Sequence, residues 1–348
     1  MVHQVSGQPK RIGLALSGGG FRAAAFHLGV MRKLRSLGLL QSIDLISCVS
    51  GGSIAGAYLA LHWKSPTVLD DLENYLRTKS IAVASVIGGI LDPFETRLEK
   101  LAQTYARDLY GDARLSALKD GPRLYLNATN LSTGNMFFFA AGGGKTEDIG
   151  EHELGAVTAP SFHLARAVAA SSAFPPVFPP LRIDRDEYSP ASAFDYVTLT
   201  DGGIYDNMGV NPTLRRERNP LDYVIVSDGG KPFANDLSPG ESGSMVLKSA
   251  LNIMMEQIRG LEFDRLQYRF VAGVGPKPLW FSIDSIDGEQ RPGDAERASS
   301  VETNLKALKI TEMEVLVRHG GALVESRLAR HATELMPPEL IQPAGGTP

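Results

Sequence analysis

A single cysteine, Cys48, in 348 residues excludes an internal disulfide and any cysteine-based metal cluster, and it fits a reducing compartment. The N-terminal stretch MVHQVSGQPKRIGLALSGGG lacks the continuous apolar run of a secretory leader. No apolar run reaches the roughly 18 residues that a membrane span needs. Nor is there a long block of basic charge: the formal net charge is −4, so nucleic acid is not an expected partner. The expected location is cytoplasmic, with peripheral contact at a membrane; secretion without a leader would leave no trace in the sequence.

What is present is a core-forming composition. Hydrophobic residues make up 43% and charged residues 21%, which favours one large folded unit over disorder. Arg11–Leu16 reads as a buried strand. SGGG follows, then a helical pattern from Phe21 to about Ser36. Ile43–Val49 is a second strand, followed by a helix over Gly51–His62. Strand, glycine loop, helix, strand, tight turn and helix open a parallel α/β sheet. RLYLNATNLS and MFFFAA read as a hairpin. FHLARAVAASSA is a helix stopped by FPPVFPP. YVTLT and YVIVS are strands that each run into Asp-Gly-Gly, and the chain closes with two long helices and a strand. The domain expectation is one unit over 1–335, with a helical part over 240–335 and a flexible tail over 336–348.

Ser50 stands on the sharp corner after the second strand. Such a serine is held clear of its neighbours at the carboxyl edge of the sheet, where ligand sites in open α/β folds lie. Gly52 supplies the small residue that the tight corner needs. Two readings stay open on this evidence: a nucleophile, or an ordinary helix N-cap, for which serine is a preferred residue. The three glycines Gly18, Gly19 and Gly20 let backbone N–H groups approach an anion at a helix start. A phosphate loop would need Gly-Lys-Ser/Thr, which is absent, and a dinucleotide site would want an acid after the second strand. An oxyanion hole fits better, with a purely structural turn as the alternative.

Two aspartates, Asp201 and Asp228, end strands and head the two Asp-Gly-Gly tripeptides (Gly202 and Gly203 follow the first). Either could serve as a serine's general base without histidine, and either could be a plain turn. The order Ser50, Asp201, His319 would suit a Ser-His-Asp triad, but His319 lies within a helical pattern and reads as a packing residue. Two apolar stretches, Ser80–Leu91 and Met136–Ala141, read equally as lipid-facing segments or buried core elements.

Together SGGGFR, CVSGG, ASSAFPPVFPP and DGGIYDNMGVNP, in this order over about residues 11–230, resemble the patatin-like phospholipase family. They correspond to its G-G-G-x-R oxyanion loop, its G-x-S-x-G elbow, its A-S-x-A-x-P block and its D-G-G/A with a downstream Asn-Pro. Cys48 replaces the first elbow glycine, and Ala23 the glycine often found after the loop arginine. The resemblance implies a three-layer α/β/α sandwich around a mainly parallel sheet. It also implies hydrolysis of fatty acyl esters, chiefly of phospholipids, through a Ser-Asp dyad and an acyl-enzyme, with no metal and no cofactor. Ser50 becomes the nucleophile and Asp201 the base. Gly18, Gly19 and Gly20 become the oxyanion hole, Arg22 steadies their loop, and Ser171–Pro176 shape the pocket wall. Asp201 is preferred to Asp228 because GIYDNMGVNP follows it. Two other functions compete: a catalytically silent lipid-binding or interaction protein on the same fold, and a nucleotide-binding protein using the glycine loop.

Overall fold

A computed structural model describes residues 9–81, 97–175, 177–189, 194–235, 238 and 240–337. Most of the segment Ser80–Leu91 lies outside them. Within them, Ile81 is buried in the core and its N–H donates to the Leu305 carbonyl.

Five parallel strands form the centre of the sheet: β1 (Ile12–Leu16), β2 (Ile43–Cys48), β3 (Arg123–Asn130), β9 (Tyr223–Asp228) and β10 (Lys277–Ser282), in the order β10-β9-β1-β2-β3. Antiparallel strands extend it from β3: β4 (Met136–Ala141), β5 (Asp148–Glu151) and β6 (Gly155–Thr158). A separate pair, β7 (Leu181–Asp184) and β8 (Tyr196–Asp201), joins the far end of β3.

The core follows from the period-two alternation of strand side chains. Leu14, Leu16 and Ile225 face one layer, where α1 (Gly20–Ser36) packs beside α3 (Val68–Thr78) and α9 (Ile310–His331). Ala15, Val224 and Val226 face the other, with Leu266 and Phe263 of the long helix α7 (Gly243–Val271). Helices on both faces of a largely parallel centre make the three-layer α/β/α sandwich expected from the sequence. The remaining helices are α2 (Gly51–Leu61), α4 (Arg97–Tyr105), α5 (Leu164–Ser171), the short α6 (Gly203–Asp206) and α8 (Asp294–Ser300).

Two expectations change. Every residue of β4 is buried, so Met136–Ala141 is a core strand and no lipid-facing segment; Phe137 and Phe139 pack on one face, Phe138 and Met136 on the other. Ordered packing also runs past residue 335. Met336 is buried against the core, so the expected tail boundary falls too early. Residues 338–348 lie outside the described residues.

Candidate active site

The turn between β2 and α2 sets Ser50 apart. Its backbone has φ 50° and ψ −115°, and it is the one non-glycine residue with positive φ among the described residues. A β-carbon in this region is strained, and such strain persists only where the surroundings over-determine it. They do so here. The Ser50 N–H is held by both the carbonyl (3.2 Å) and the Oγ (3.1 Å) of Ser171. The Ser171 hydroxyl is itself buried, donating to the Asn127 carbonyl at 2.6 Å and lying 2.8 Å from Ser53 Oγ. Ser50 occupies the N-cap position of α2 but makes no side-chain capping bond, which removes the N-cap reading of this serine. Its hydroxyl is left for other work.

Asp201 reaches the same place from the opposite direction. Strand β8 runs antiparallel to β3 and pairs Asp201 with Ala128, just beyond Leu126, which pairs with Cys48. The Asp201 N–H donates to the Ala173 carbonyl at 3.1 Å, so the C-terminal end of α5 and the residues just after it hold both the serine turn and the aspartate. The role expected of Ser171–Pro176 is a pocket wall; in the structure Ser171 and Ala173 of that segment bond the backbone N–H groups of Ser50 and Asp201. Pro176 lies outside the described residues.

The Asp201 side chain is 2% exposed. Its Oδ1 accepts the Gly203 N–H at 2.7 Å, while Oδ2 is buried without a well-formed hydrogen bond. Burial pushes its pKa up from 3.8 to about 7, against the opposing pull of the Gly203 N–H and of the Ser50 hydroxyl. The hydroxyl is thus within electrostatic reach of the carboxylate without closing a bond of good geometry, a common resting arrangement at catalytic sites.

The glycine loop lies on the other side of Ser50. A β-carbon on Gly18 would come within 3.3 Å of Ser50 Cβ, and one on Gly51 within 2.8 Å of the Gly20 nitrogen. Gly19 (φ 137°) and Gly20 (φ 61°) adopt conformations open mainly to glycine. At the N-cap and first turn of α1, their N–H groups have no intrahelical acceptor. Gly18 departs from expectation: its N–H already donates to the Asn207 carbonyl at 3.0 Å, so it is no free oxyanion donor. Gly52 makes the close approach anticipated for it, since a β-carbon there would sit 2.3 Å from the Leu16 carbonyl oxygen.

Arg22 is fully buried under this loop. It donates from Nε (3.3 Å) and Nη2 (3.1 Å) to the Gly229 carbonyl and from Nη1 (3.1 Å) to the Val301 carbonyl. Desolvation lowers its pKa to about 10, partly countered by Asp228. His319 is buried on α9, bonded to the Ile283 carbonyl at 2.9 Å and packed on Phe26, as its helical pattern predicts.

The sequence reading missed three contributors. Asn207 places its side-chain Oδ1 beside both Gly18 and Gly203, between the loop and the Asp201 turn. His27 lies beneath the loop, with Nε2 3.0 Å from the Ser17 carbonyl and Nδ1 2.8 Å from Ser227 Oγ; burial lowers its pKa to about 4. Ser17 accepts the Gly229 N–H at 2.8 Å on its Oγ. Only Asn207 had a visible signal, its place in DGGIYDN. A cavity of about 740 Å³ between α8 and α9 contains neither Ser50 nor Asp201, and its lining mixes acidic with basic side chains.

Cys48 explains its own departure from the elbow glycine. It is fully buried, and a β-carbon on Gly56 would meet its Sγ at 2.3 Å, so the smaller residue on α2 makes room for the larger one on β2. Burial pushes its thiol pKa well above the usual value. Bulky thiol reagents should therefore modify the folded protein slowly. Cys48→Gly should keep turnover within roughly tenfold, about 1.4 kcal/mol of barrier, while the vacated space lowers stability by about 1–3 kcal/mol. Rapid alkylation of the native protein, measured by mass spectrometry, would contradict this packing.

A strained serine, a buried carboxylate beside it and a glycine loop meet at one sheet edge, an arrangement chemically able to support acyl transfer without histidine. The patatin-like phospholipase family model matches residues 14–214, more than half of the chain, and the protein belongs to that family. Among solved structures it is similar to human GIVD cytosolic phospholipase A2, with a TM-score of 0.60 and 14% identity over 94% of this chain and 60% of that one. The same enzyme in complex with methyl gamma-linolenyl fluorophosphonate matches at a TM-score of 0.58 and 15% identity, over 94% and 58%. VipD from Legionella pneumophila matches at 0.42 and 14%, over 93% and 67%. At these identities the likeness is one of fold, and this chain spans about three-fifths of the phospholipase A2 chain. No curated protein matches the sequence.

Proposed function

We propose that this protein is a lipid acyl hydrolase in which Ser50 is the nucleophile and Asp201 its general base. The observation that carries this reading is the pairing of Ser50, the one non-glycine residue with positive φ among the described residues, with a buried carboxylate whose second oxygen has no settled partner. Asp201 takes the hydroxyl proton as Ser50 Oγ attacks the ester carbonyl. The N–H groups of Gly19 and Gly20 receive the developing oxyanion, a contribution of about 2.7–4 kcal/mol per donor. The tetrahedral adduct collapses, the C–O bond to the leaving alcohol breaks, and the alcohol leaves with the proton from Asp201. Water, deprotonated by the same carboxylate, then attacks the acyl carbonyl, the bond to Ser50 Oγ breaks to release the fatty acid, and Asp201 returns the proton to Ser50. Ser171, Gly203, Arg22 and Asn207 hold these groups in register, and no step requires a metal.

Family membership supports a fatty acyl ester as substrate, which must reach the sheet edge from a membrane or micelle. Helix α7 supports that approach. Arg259 contacts Asp228 at the end of β9, while Arg269 near the helix C-terminus bonds the Leu214 carbonyl. The residues before Arg259 therefore run past the catalytic edge by about 24 Å, at 1.5 Å per residue. Met245, Val246, Leu247, Ile253 and Met254 are exposed on this stretch. Among the described residues no helix is long and apolar enough to cross a membrane.

A fluorophosphonate probe tests the reading directly. It should label the native protein at Ser50, and unfolding should abolish the reaction. Peptide mapping that places the label elsewhere, or finds none, would reject Ser50 as the nucleophile.

A further inference from the structure

The second Asp-Gly-Gly, Asp228-Gly229-Gly230, lies two strands over from the serine turn, with β1 between them, since β9 pairs with β1 and β1 with β2. Asp228 is 1% exposed, and both its carboxylate oxygens are committed. Oδ1 accepts the Gly230 N–H at 3.0 Å, and Oδ2 accepts Arg259 Nε from α7 at 2.6 Å. Arg259 is further held by Glu256 at 3.2 Å and lies over the Trp280 ring, 5.6 Å from its centroid. This pair fixes the tripeptide, and the tripeptide is the outer wall of the glycine loop. The Gly229 N–H bonds Ser17 Oγ, and the Gly229 carbonyl takes two bonds from Arg22. A β-carbon on Gly19 would lie 2.8 Å from that same carbonyl oxygen. Gly230 lies beside Asn207, the residue that bonds Gly18.

We infer that Asp228 and Arg259 are positioning residues that lock the Gly19 and Gly20 N–H donors in place and tie them to α7. The inference rests on the acyl-hydrolase reading above. A charge-assisted bond at 2.6 Å is about twice as strong as a neutral one, and it is the contact between α7 and this wall that carries full charge. Neither residue touches the reacting atoms. Their loss should displace donors whose effect depends on sub-ångström placement, and a shift of about 1 Å can cost ~10²-fold in rate. Asp228 thus resembles Asp201 in sequence but supports the loop where Asp201 acts on the serine.

The test uses the full chain with Arg259→Gln, Arg259→Lys, Asp228→Asn and the Arg259→Gln/Asp228→Asn double variant. Two measurements are made: kcat and KM on a soluble short-chain ester, and hydrogen–deuterium exchange of the peptide spanning Ser17–Ala23. Arg259→Gln and Asp228→Asn should each lower kcat by about 10–100-fold with KM within twofold, and should speed exchange in that peptide. Arg259→Lys should recover part of the loss, and the double variant should cost no more than the worse single one, as expected of one coupled pair. Unchanged exchange in Ser17–Ala23, or kcat within twofold in a variant whose melting temperature falls, would overturn the inference and leave the pair a purely structural contact. If the wild type itself neither turns over ester nor labels at Ser50, the hydrolase reading fails instead. The exchange measurement then still decides whether the pair orders the loop.

Discussion

Asp201→Asn is expected to lower turnover by about 10²–10⁴, the range for loss of a general base, while the chain still folds. Asparagine is nearly isosteric and can keep the Gly203 N–H bond through its carbonyl oxygen, so what it removes is the basic carboxylate. The pH dependence separates this effect from a structural one. Burial raises the Asp201 pKa from 3.8 to about 7, so activity in the wild type should rise with pH through a midpoint near 7. Stability should respond with the opposite sign. Between about pH 4 and pH 7 the native state holds the Asp201 proton and the unfolded chain has released it. The stability linked to this group is complete below about pH 4 and is lost as the pH climbs to about 7. Asparagine never ionises, so the variant should melt at a higher temperature than the wild type at pH 8, and that advantage should shrink as the pH falls and be gone below about pH 4. Burial, and then the neighbouring Glu262, also raise the Asp206 pKa, but Asp206 is present in both proteins and cancels in the comparison. Turnover within threefold of the wild type, or the same acid limb in the residual activity of the variant, would remove Asp201 from the mechanism.

Gly51→Ala is expected to be nearly as damaging, although it adds one methyl group and removes no functional atom. The new β-carbon would lie 2.2 Å from the Gly20 carbonyl oxygen and 2.8 Å from its nitrogen. Both are backbone atoms and cannot rotate away. Either α2 or the glycine loop must move, and the proposed mechanism receives the oxyanion on that loop. Overpacking of this kind costs about 1–3 kcal/mol of stability, and displacement of the loop should lower turnover by about 10²-fold. Gly260→Ala is the control: it lies in the exposed interior of α7 with open space around it. That change should leave turnover intact and stabilise the helix by about 0.5–1 kcal/mol. Equal turnover in the two variants would show that Gly20 does not lie at the reacting centre.

Much of this arrangement was legible because it is local in the chain. The apolar runs of β1 and β2, the glycines that follow the first and the Ser-Gly-Gly that follows the second all carry their meaning within about ten residues. Strand and helix periods, turn residues and close-approach glycines act at that range, so a parallel α/β sheet and the candidacy of Ser50 could be read directly, while the three-layer arrangement was implied by the family resemblance. The same reading left Ser50 divided between nucleophile and helix cap, because both roles ask for serine at a helix start. It also left Met136–Ala141 divided between lipid face and core, because a buried strand and a lipid-facing segment are equally apolar.

Tertiary structure decided what depends on partners distant in sequence. Ser171, 121 positions after Ser50, takes the backbone N–H of the strained serine and thereby makes its conformation tolerable. Asp201 and Asp228 carry the same tripeptide, and only their surroundings divide them. One is buried with an oxygen left open beside Ser50, and the other has both oxygens bound, one of them by an arginine from α7. Gly18 looks identical to its neighbours until the Asn207 carbonyl claims its N–H. Sequence thus determined which residue types stand at the ends of which strands, since backbone geometry and hydrophobic period are properties of a short stretch. The roles of base, donor and brace proposed for those residues rest on burial and on occupied hydrogen bonds, which exist only once the strands lie side by side.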